Sequence, residues 1–255
     1  MDATQKPTLL LIDGHSLAFR AFYALSPDSF RTTDGQHTNA VHGFISMMLE
    51  ILKMERPTHL AVAFDLSRSS FRTEEYAEYK GTRGETPPEF MGQTELLTEA
   101  LAAMNIVTLT RDNYEADDII ASLADQGADA GFNVFVVSGD RDTFQLIRPE
   151  TTILYPVKGV LNMARMTDEA VYEKYGVHAK QYPDLAALVG ETSDNLPGIP
   201  GVGPKTAAKW LQAYGSLQGV FDAAGEITGK VGESLREHME LAVRNRRLNH
   251  LVRDL

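Results

Sequence analysis

The 255-residue chain contains no cysteine, which rules out a disulfide framework and any thiolate-bound zinc or iron–sulfur centre. It lacks a long apolar run. The longest, such as residues 8–12 and 60–64, fall far short of the roughly 20 residues that a membrane helix needs, and no N-terminal signal pattern precedes them. A cytoplasmic protein with no membrane partner is expected. Internal repeats and low-complexity segments are also missing. The chain is short of basic charge as well, with a formal net charge of −11, which at face value argues against a nucleic-acid partner. That argument fails if the acids are clustered, because a carboxylate pocket filled by metal ions presents a neutralised or positive face to phosphate. With 43% hydrophobic residues the chain can bury one large core or two smaller ones.

Short apolar runs rich in β-branched residues, at 8–12, 59–64, 106–109 and 133–138, alternate with helical patterns at 38–54, 93–104 and 116–130. Val41, Phe44, Ile45, Met48 and Leu52 have helical spacing. This alternation predicts an α/β fold with a mostly parallel central sheet covered by helices. Residues 151–157 are expected to add an edge strand. From about Thr167 the strands stop and short helices follow, at 183–189 and 206–214 around a Gly/Pro-dense turn. A boundary near Met166 therefore divides the chain into 1–166 and 167–255. Residues 68–88 mix bases and aromatics without periodicity and read as a long exposed connection.

Three runs end in aspartate, at Asp13, Asp65, and Asp140 with Asp142, and a fourth is followed by Glu115, Asp117 and Asp118. In a parallel sheet all strand C-termini share one edge, so these acids converge where such folds bind ligands. Taken singly, each could be a helix N-cap or a turn residue. Together they would repel unless hard divalent cations such as Mg²⁺ or Mn²⁺ relieve the charge.

In the turn, Gly198, Gly201 and Gly203 let backbone approach a phosphate, and Lys205, Thr206 and Lys209 follow at a helix start. A nucleotide-binding P-loop is disfavoured, because Pro204 separates Gly203 from Lys205 and helix precedes the turn in place of strand. A haloacid-dehalogenase-like phosphatase is disfavoured by Phe144, where Thr or Val is wanted.

The chain resembles the 5′ nuclease (flap endonuclease) family, most closely the nuclease domains at the N-terminus of bacterial DNA polymerase I. The resemblance rests on Leu-Ile-Asp13-Gly-His-Ser-Leu-Ala-Phe-Arg20-Ala-Phe-Tyr23, Ala-Phe-Asp65, Phe-Arg72 followed by Tyr79-Lys80-Gly-Thr-Arg83, Glu115-Ala-Asp117-Asp118, Ser-Gly-Asp140-Arg-Asp142, and Val-Gly-Glu191-Thr-Ser-Asp194 leading into the Gly-rich turn. These segments span nearly the whole chain. The resemblance implies a PIN-like nuclease core, a helical arch over about 68–88, and a C-terminal helix–two-turn–helix at about 183–214 that grips duplex DNA, often through K⁺. It implies two metal positions, one bound by Asp13, Asp65, Glu115 and Asp117, the other by Asp140, Asp142, Glu191 and Asp194, with Asp117 or Asp118 between. Glu191 departs from the usual Asp. Lys80 and Arg83 would stabilise charge on the phosphate during in-line hydrolysis, with Asp117, Asp140 and Asp142 as the catalytic carboxylates. Arg20, Tyr23, Arg72, Lys80, Arg83 and the turn would contact DNA. The implied activity is metal-dependent cleavage of branched, flapped or nicked DNA by a monomer, in replication and repair, with a polymerase domain as a candidate continuation of the chain. A PIN-type ribonuclease and an inactive branched-DNA-binding module are the alternatives.

Overall fold

The computed structural model describes residues 6–158 and 162–255. In chain order its elements are β1 (Thr8–Asp13), α1 (Gly14–Ala24), α2 (Asn39–Glu55), β2 (His59–Ala63), α3 (Phe71–Glu75), α4 (Gln93–Ala103), β3 (Val107–Leu109), α5 (Ala116–Asp129), β4 (Asn133–Val137), β5 (Thr151–Lys158) and β6 (Asn162–Met166). There follow α6 (Asp168–Tyr175), α7 (Tyr182–Val189), β7 (Gly190–Glu191), β8 (Leu196–Pro197), α8 (Pro204–Tyr214), α9 (Leu217–Asp222), α10 (Gly229–Glu237) and α11 (Met239–Leu248). They form two compact units. One comprises Met1–Arg68, Glu85–Arg165 and Val252–Leu255; the other comprises Ser69–Gly84 and Met166–Leu251.

The first unit is built on a six-stranded sheet of order β3-β2-β1-β4-β5-β6. Strand β1 pairs in parallel with β2 and β4, β2 with β3, and β4 with β5. The most apolar strand, β1, lies between neighbours, and Leu10, Leu11 and Ile12 are buried, so both of its faces are covered. Leu10 and Ile12 join a core with Leu17, Phe44, Met48, Val62, Phe64, Leu97 and Leu101, drawn from the sheet and from α1, α2 and α4. Because side chains alternate along a strand, Leu11 points to the opposite face, where α5 packs on β1 and β4. One expectation is corrected here. Residues 151–158 are not an edge strand, because β6 lies outside them. The sequence of β6, Asn-Met-Ala-Arg-Met, has no β-branched residue to announce it. Among the described residues no helix is long and apolar enough to cross a membrane.

The second unit is helical apart from the two-residue strands β7 and β8. Helix α11 is fastened to α7 by side-chain amides. Asn245 donates to the carbonyls of Ala187 and Pro197, Asn249 donates to that of Pro183, and Arg246 pairs with Asp184 at 2.7 Å. Of the helical arch implied over 68–88, the structure forms only the short α3, whose start is secured by the Ser70 N–H donating to Thr73 Oγ1. Arg72, which the resemblance implies as a DNA contact, is corrected by its burial. It is 1% exposed, with Nε donating to the Leu248 carbonyl at 2.7 Å and Nη2 to the His250 carbonyl at 2.8 Å. It holds the end of α11 and presents no charge to solvent.

Removing one side of a buried hydrogen bond leaves the other unsatisfied, at about 1–3 kcal/mol each. Arg72→Met, which keeps much of the volume, should therefore destabilise the protein by about 3 kcal/mol. A urea titration showing a loss below about 0.5 kcal/mol would contradict this assignment.

Candidate active site

The parallel strands β1, β2 and β4 deliver Asp13, Asp65 and Asp140 to one edge, and each carboxylate is secured by the element that follows it. Asp13 ends β1 and caps α1, its Oδ1 accepting the Ser16 N–H at 2.9 Å. Its Oδ2 accepts the Ser138 hydroxyl at 2.9 Å, and Ser138 Oγ in turn accepts the Asp140 N–H at 3.0 Å. Asp140 caps the 3₁₀ turn Arg141–Leu146, with Oδ1 accepting the Asp142 N–H at 2.9 Å. Ser16 Oγ closes the set by accepting the Gly139 N–H at 2.8 Å. Burial first, and then the charge of Asp65, with a smaller push from Asp140, raises the Asp13 carboxyl from 3.8 to about 7. Asp65 and Asp140 are thus close enough to oppose the ionisation of Asp13.

Asp65 Oδ1 accepts the Ala116 N–H at 2.7 Å, an amide in the first turn of α5, where the helix dipole favours negative charge. This bond joins the end of β2 to the segment carrying Glu115 and Asp117. The Asp65 N–H donates to His15 Nδ1 at 3.2 Å, so the imidazole proton sits on Nε2. His15 Nδ1 also lies 3.7 Å from Asp65 Oδ2, but the shorter bond and the lowering of the His15 pKa by burial both indicate a neutral ring. Asp118 differs from its neighbours. It is fully buried, with Oδ2 accepting the Glu115 N–H at 3.1 Å and Oδ1 accepting the Val252 N–H at 2.9 Å. Each Asp118 oxygen thus accepts a backbone amide, which gives this carboxylate a structural role. On α1, Arg20 is half-buried and Tyr23 is 72% exposed, edge-on to Phe22 with ring centroids 5.2 Å apart. Tyr23 is therefore no core residue; its ring also stacks on Phe19, with centroids 6.3 Å apart, and is otherwise largely exposed.

In the second unit Glu191 and Asp194 each offer a carboxylate oxygen within 4.8 Å of the other. Asp194 is buried, with Oδ1 paired to Arg83 Nη2 at 2.9 Å and Oδ2 accepting the Tyr79 hydroxyl at 3.1 Å. Lys80, at a positive φ of 56°, donates its N–H to the Asp194 carbonyl at 2.9 Å, and its ammonium lies 5.0 Å from the Tyr79 ring centroid. Glu191 sits on the β7–β8 hairpin, where Gly190 and Gly198 face each other so closely that a Cβ on residue 198 would collide with the Val189 carbonyl. Gly198 is thus a packing requirement. Gly201 has a φ of +80° and an otherwise open position, which makes it a turn residue. Gly203 is different, because it caps α8 at an ordinary φ of −97° with nothing within 4 Å of where a Cβ would stand. Lys205 and Lys209 are exposed near the start of α8, and Thr206 is half-buried beside them.

Sequence reasoning missed Ser16, Ser138 and His15. The signal was present as Asp13-Gly-His-Ser, which fits a capping turn, and as a serine closing the β4 run two residues before Asp140.

Residues 8–176 match the family model described as the N-terminal resolvase-like domain of 5′-3′ exonuclease, and residues 177–255 match its C-terminal SAM fold. The chain is 56% identical over 98% of its length to DNA polymerase I of Mycobacterium leprae, and 54% identical to that of Mycobacterium tuberculosis, again over 98%. It spans 27% and 28% of those relatives, respectively. A structure described as T5 5′-exonuclease with bound zinc ions superposes with a TM-score of 0.79 at 24% identity, covering 96% of this chain and 90% of that one, which shows a shared fold. The two family-model matches, which together run from residue 8 to residue 255, place this chain in the 5′-3′ exonuclease family.

Proposed function

We propose that the protein is a structure-specific 5′ nuclease that hydrolyses DNA phosphodiesters at flaps, nicks and 5′ ends with two or more divalent ions, Mg²⁺ or Mn²⁺. The observation that carries this reading is the opposition among Asp13, Asp65 and Asp140. A carboxyl buried beside two others and raised to about 7 is only about half ionised at neutral pH, a nearby cation would complete its ionisation, and hard cations favour all-oxygen donor sets. In the first unit Asp13, Asp65, Glu115, Asp117, Asp140 and Asp142 would supply ligands. Glu191 and Asp194 form a second carboxylate pair, close enough for one ion to take an oxygen from each. Divalent ions held by these residues would supply Lewis acidity at the phosphate and make a nearby water more acidic.

The chain's own residues would orient the DNA. Tyr23 presents an exposed ring on which a base beside the cut can stack, with Arg20 on the same helix for a phosphate. Arg83 neutralises Asp194 in the metal-free protein, and with Lys80 would meet charge on the scissile phosphate. Gly203 leaves the start of α8 bare; Pro204 has no N–H and the Thr206 and Ala207 amides already donate to the Gly203 carbonyl, so the Lys205 side chain would make the approach to a duplex phosphate, with K⁺ as a further ion for this turn. The products would carry a 5′-phosphate and a 3′-hydroxyl. We place this activity in DNA replication and repair in the bacterial cytosol, carried out by a monomeric unit that works beside a polymerase domain in the longer chains it resembles.

Asp140→Ala and Asp117→Ala should each reduce cleavage of an end-labelled 5′-flap substrate by on the order of 10³-fold, while flap binding changes little. Flap, nicked and single-stranded DNA incubated with and without Mn²⁺ tests the reading as a whole. Binding and release of uncut flap in the presence of Mn²⁺ would leave only a branched-DNA-binding module. At the turn, Lys205→Ala should lower the slope of log affinity against log salt by about one for duplex DNA. Gly203→Ala should keep the melting temperature and weaken duplex binding by about tenfold, or about 1.4 kcal/mol. Unchanged affinity in both variants would remove this turn from the DNA interface.

The raised Asp13 sets a pH dependence. Because its folded value lies above the ordinary 3.8, the native state holds an extra proton between about 4 and 7. Stability from this group is complete at low pH, falls as pH rises through about 7, and is flat beyond it. In the metal-free protein Asp13→Asn should therefore raise the melting temperature at pH 7.5 and have little effect at pH 4. Calorimetry finding Asp13→Asn destabilising at pH 7.5 would rule out the repulsion argument.

A further inference from the structure

The last four residues, Val252–Leu255, belong to the first unit and run along α5. The Val252 N–H donates to Asp118 Oδ1 at 2.9 Å, while Oδ2 of the same carboxylate accepts the Glu115 N–H. Ser122, also buried, has its hydroxyl 3.3 Å from the Val252 carbonyl and accepts the Leu255 N–H at 3.2 Å. Gln126 Nε2 donates to the Leu255 carbonyl at 3.3 Å. The segment thus contacts α5 at positions 118, 122 and 126, one face of the helix at a spacing of four.

Arg253 extends the contact to a second element. Its Nη1 pairs with Asp125 of α5 at 3.2 Å, and its Nη2 donates to the carbonyl of Gln145 at 2.7 Å. Gln145 lies in the turn Arg141–Leu146, which contains Asp142 and is capped by Asp140. One planar guanidinium, about one-third exposed, therefore spans the helix whose start carries Glu115 and Asp117 and the turn that carries Asp142.

We infer that Val252–Leu255 is a clamp in which Arg253 fixes the separation of α5 and the turn Arg141–Leu146, making Arg253 a positioning residue for the carboxylate site. The geometric basis is that a metal site needs its oxygens held within about 0.5 Å. The acids of α5 and of the turn come from segments that do not pair in the sheet, so their relative placement depends on side-chain packing and on this bridge. The inference rests on the metal-binding reading above, but its first test does not.

In the metal-free protein, hydrogen exchange should be faster in Arg253→Ala by about tenfold at the Ala116 and Asp142 amides, which bond to Asp65 and Asp140. At Leu11, in the central strand, it should be unchanged. The Mn²⁺ concentration for half-saturation, followed by electron paramagnetic resonance of free Mn²⁺, should rise about fivefold to tenfold. Flap cleavage should lose kcat with KM for DNA kept. Arg253→Lys, which can hold only one of the two partners at a time, should fall between wild type and Arg253→Ala, and it carries the comparison if the alanine variant does not fold. Faster exchange spread evenly over the first unit, or no change at Ala116 and Asp142, would overturn the clamp. A wild-type protein that takes up no Mn²⁺ would instead overturn the metal reading while leaving the exchange result to decide the clamp.

Discussion

The first unit is organised around keeping mutually repelling carboxylates in place at the end of a buried sheet. Each is held by a backbone amide of the segment that follows a strand: Asp13 by Ser16, Asp65 by Ala116 and Asp140 by Asp142. Helix and turn starts carry partial positive charge, so the fold supplies a fixed counter-field that does not depend on solvent. The supply is incomplete, as the raised Asp13 shows. The protein therefore keeps its acids in an arrangement that costs stability as Asp13 ionises.

The second unit meets the same electrostatic difficulty with different chemistry. It offers Asp194 a guanidinium and a phenol, from Arg83 and Tyr79, on a segment that folds back through α3 and the turns after it. Arg72 makes that segment possible by plugging the end of α11 from within. A basic stretch that looks solvent-facing is thus divided by burial into an internal peg at Arg72 and exposed charge at Arg83.

Most of the architecture was legible in the sequence because the strands that matter are continuous apolar runs bounded by Asp or Gly. The parallel order followed from their alternation with helices, and the shared edge of Asp13, Asp65 and Asp140 followed from the parallel order. What escaped was of two kinds. Strand β6 had no β-branched residue, and its pairing is a property of its neighbour and not of its own composition. The roles of Arg72 and Asp118 depend on carbonyls and amides 176 and 134 positions away, which no local pattern encodes. Ser138 is the intermediate case: its place beside Asp140 was visible, but its bond to Asp13 spans 125 positions and requires the strands to be adjacent first.

The hairpin that carries Glu191 has only two residue pairs, Gly190 with Pro197 and Glu191 with Leu196. Its opening is fixed by the close facing of Gly190 and Gly198, where even a methyl group would strike backbone. A ladder this brief has no further rungs over which to spread a displacement, so any widening passes to Glu191 undiminished. A side chain at either glycine would therefore shift the Glu191 carboxylate without touching it.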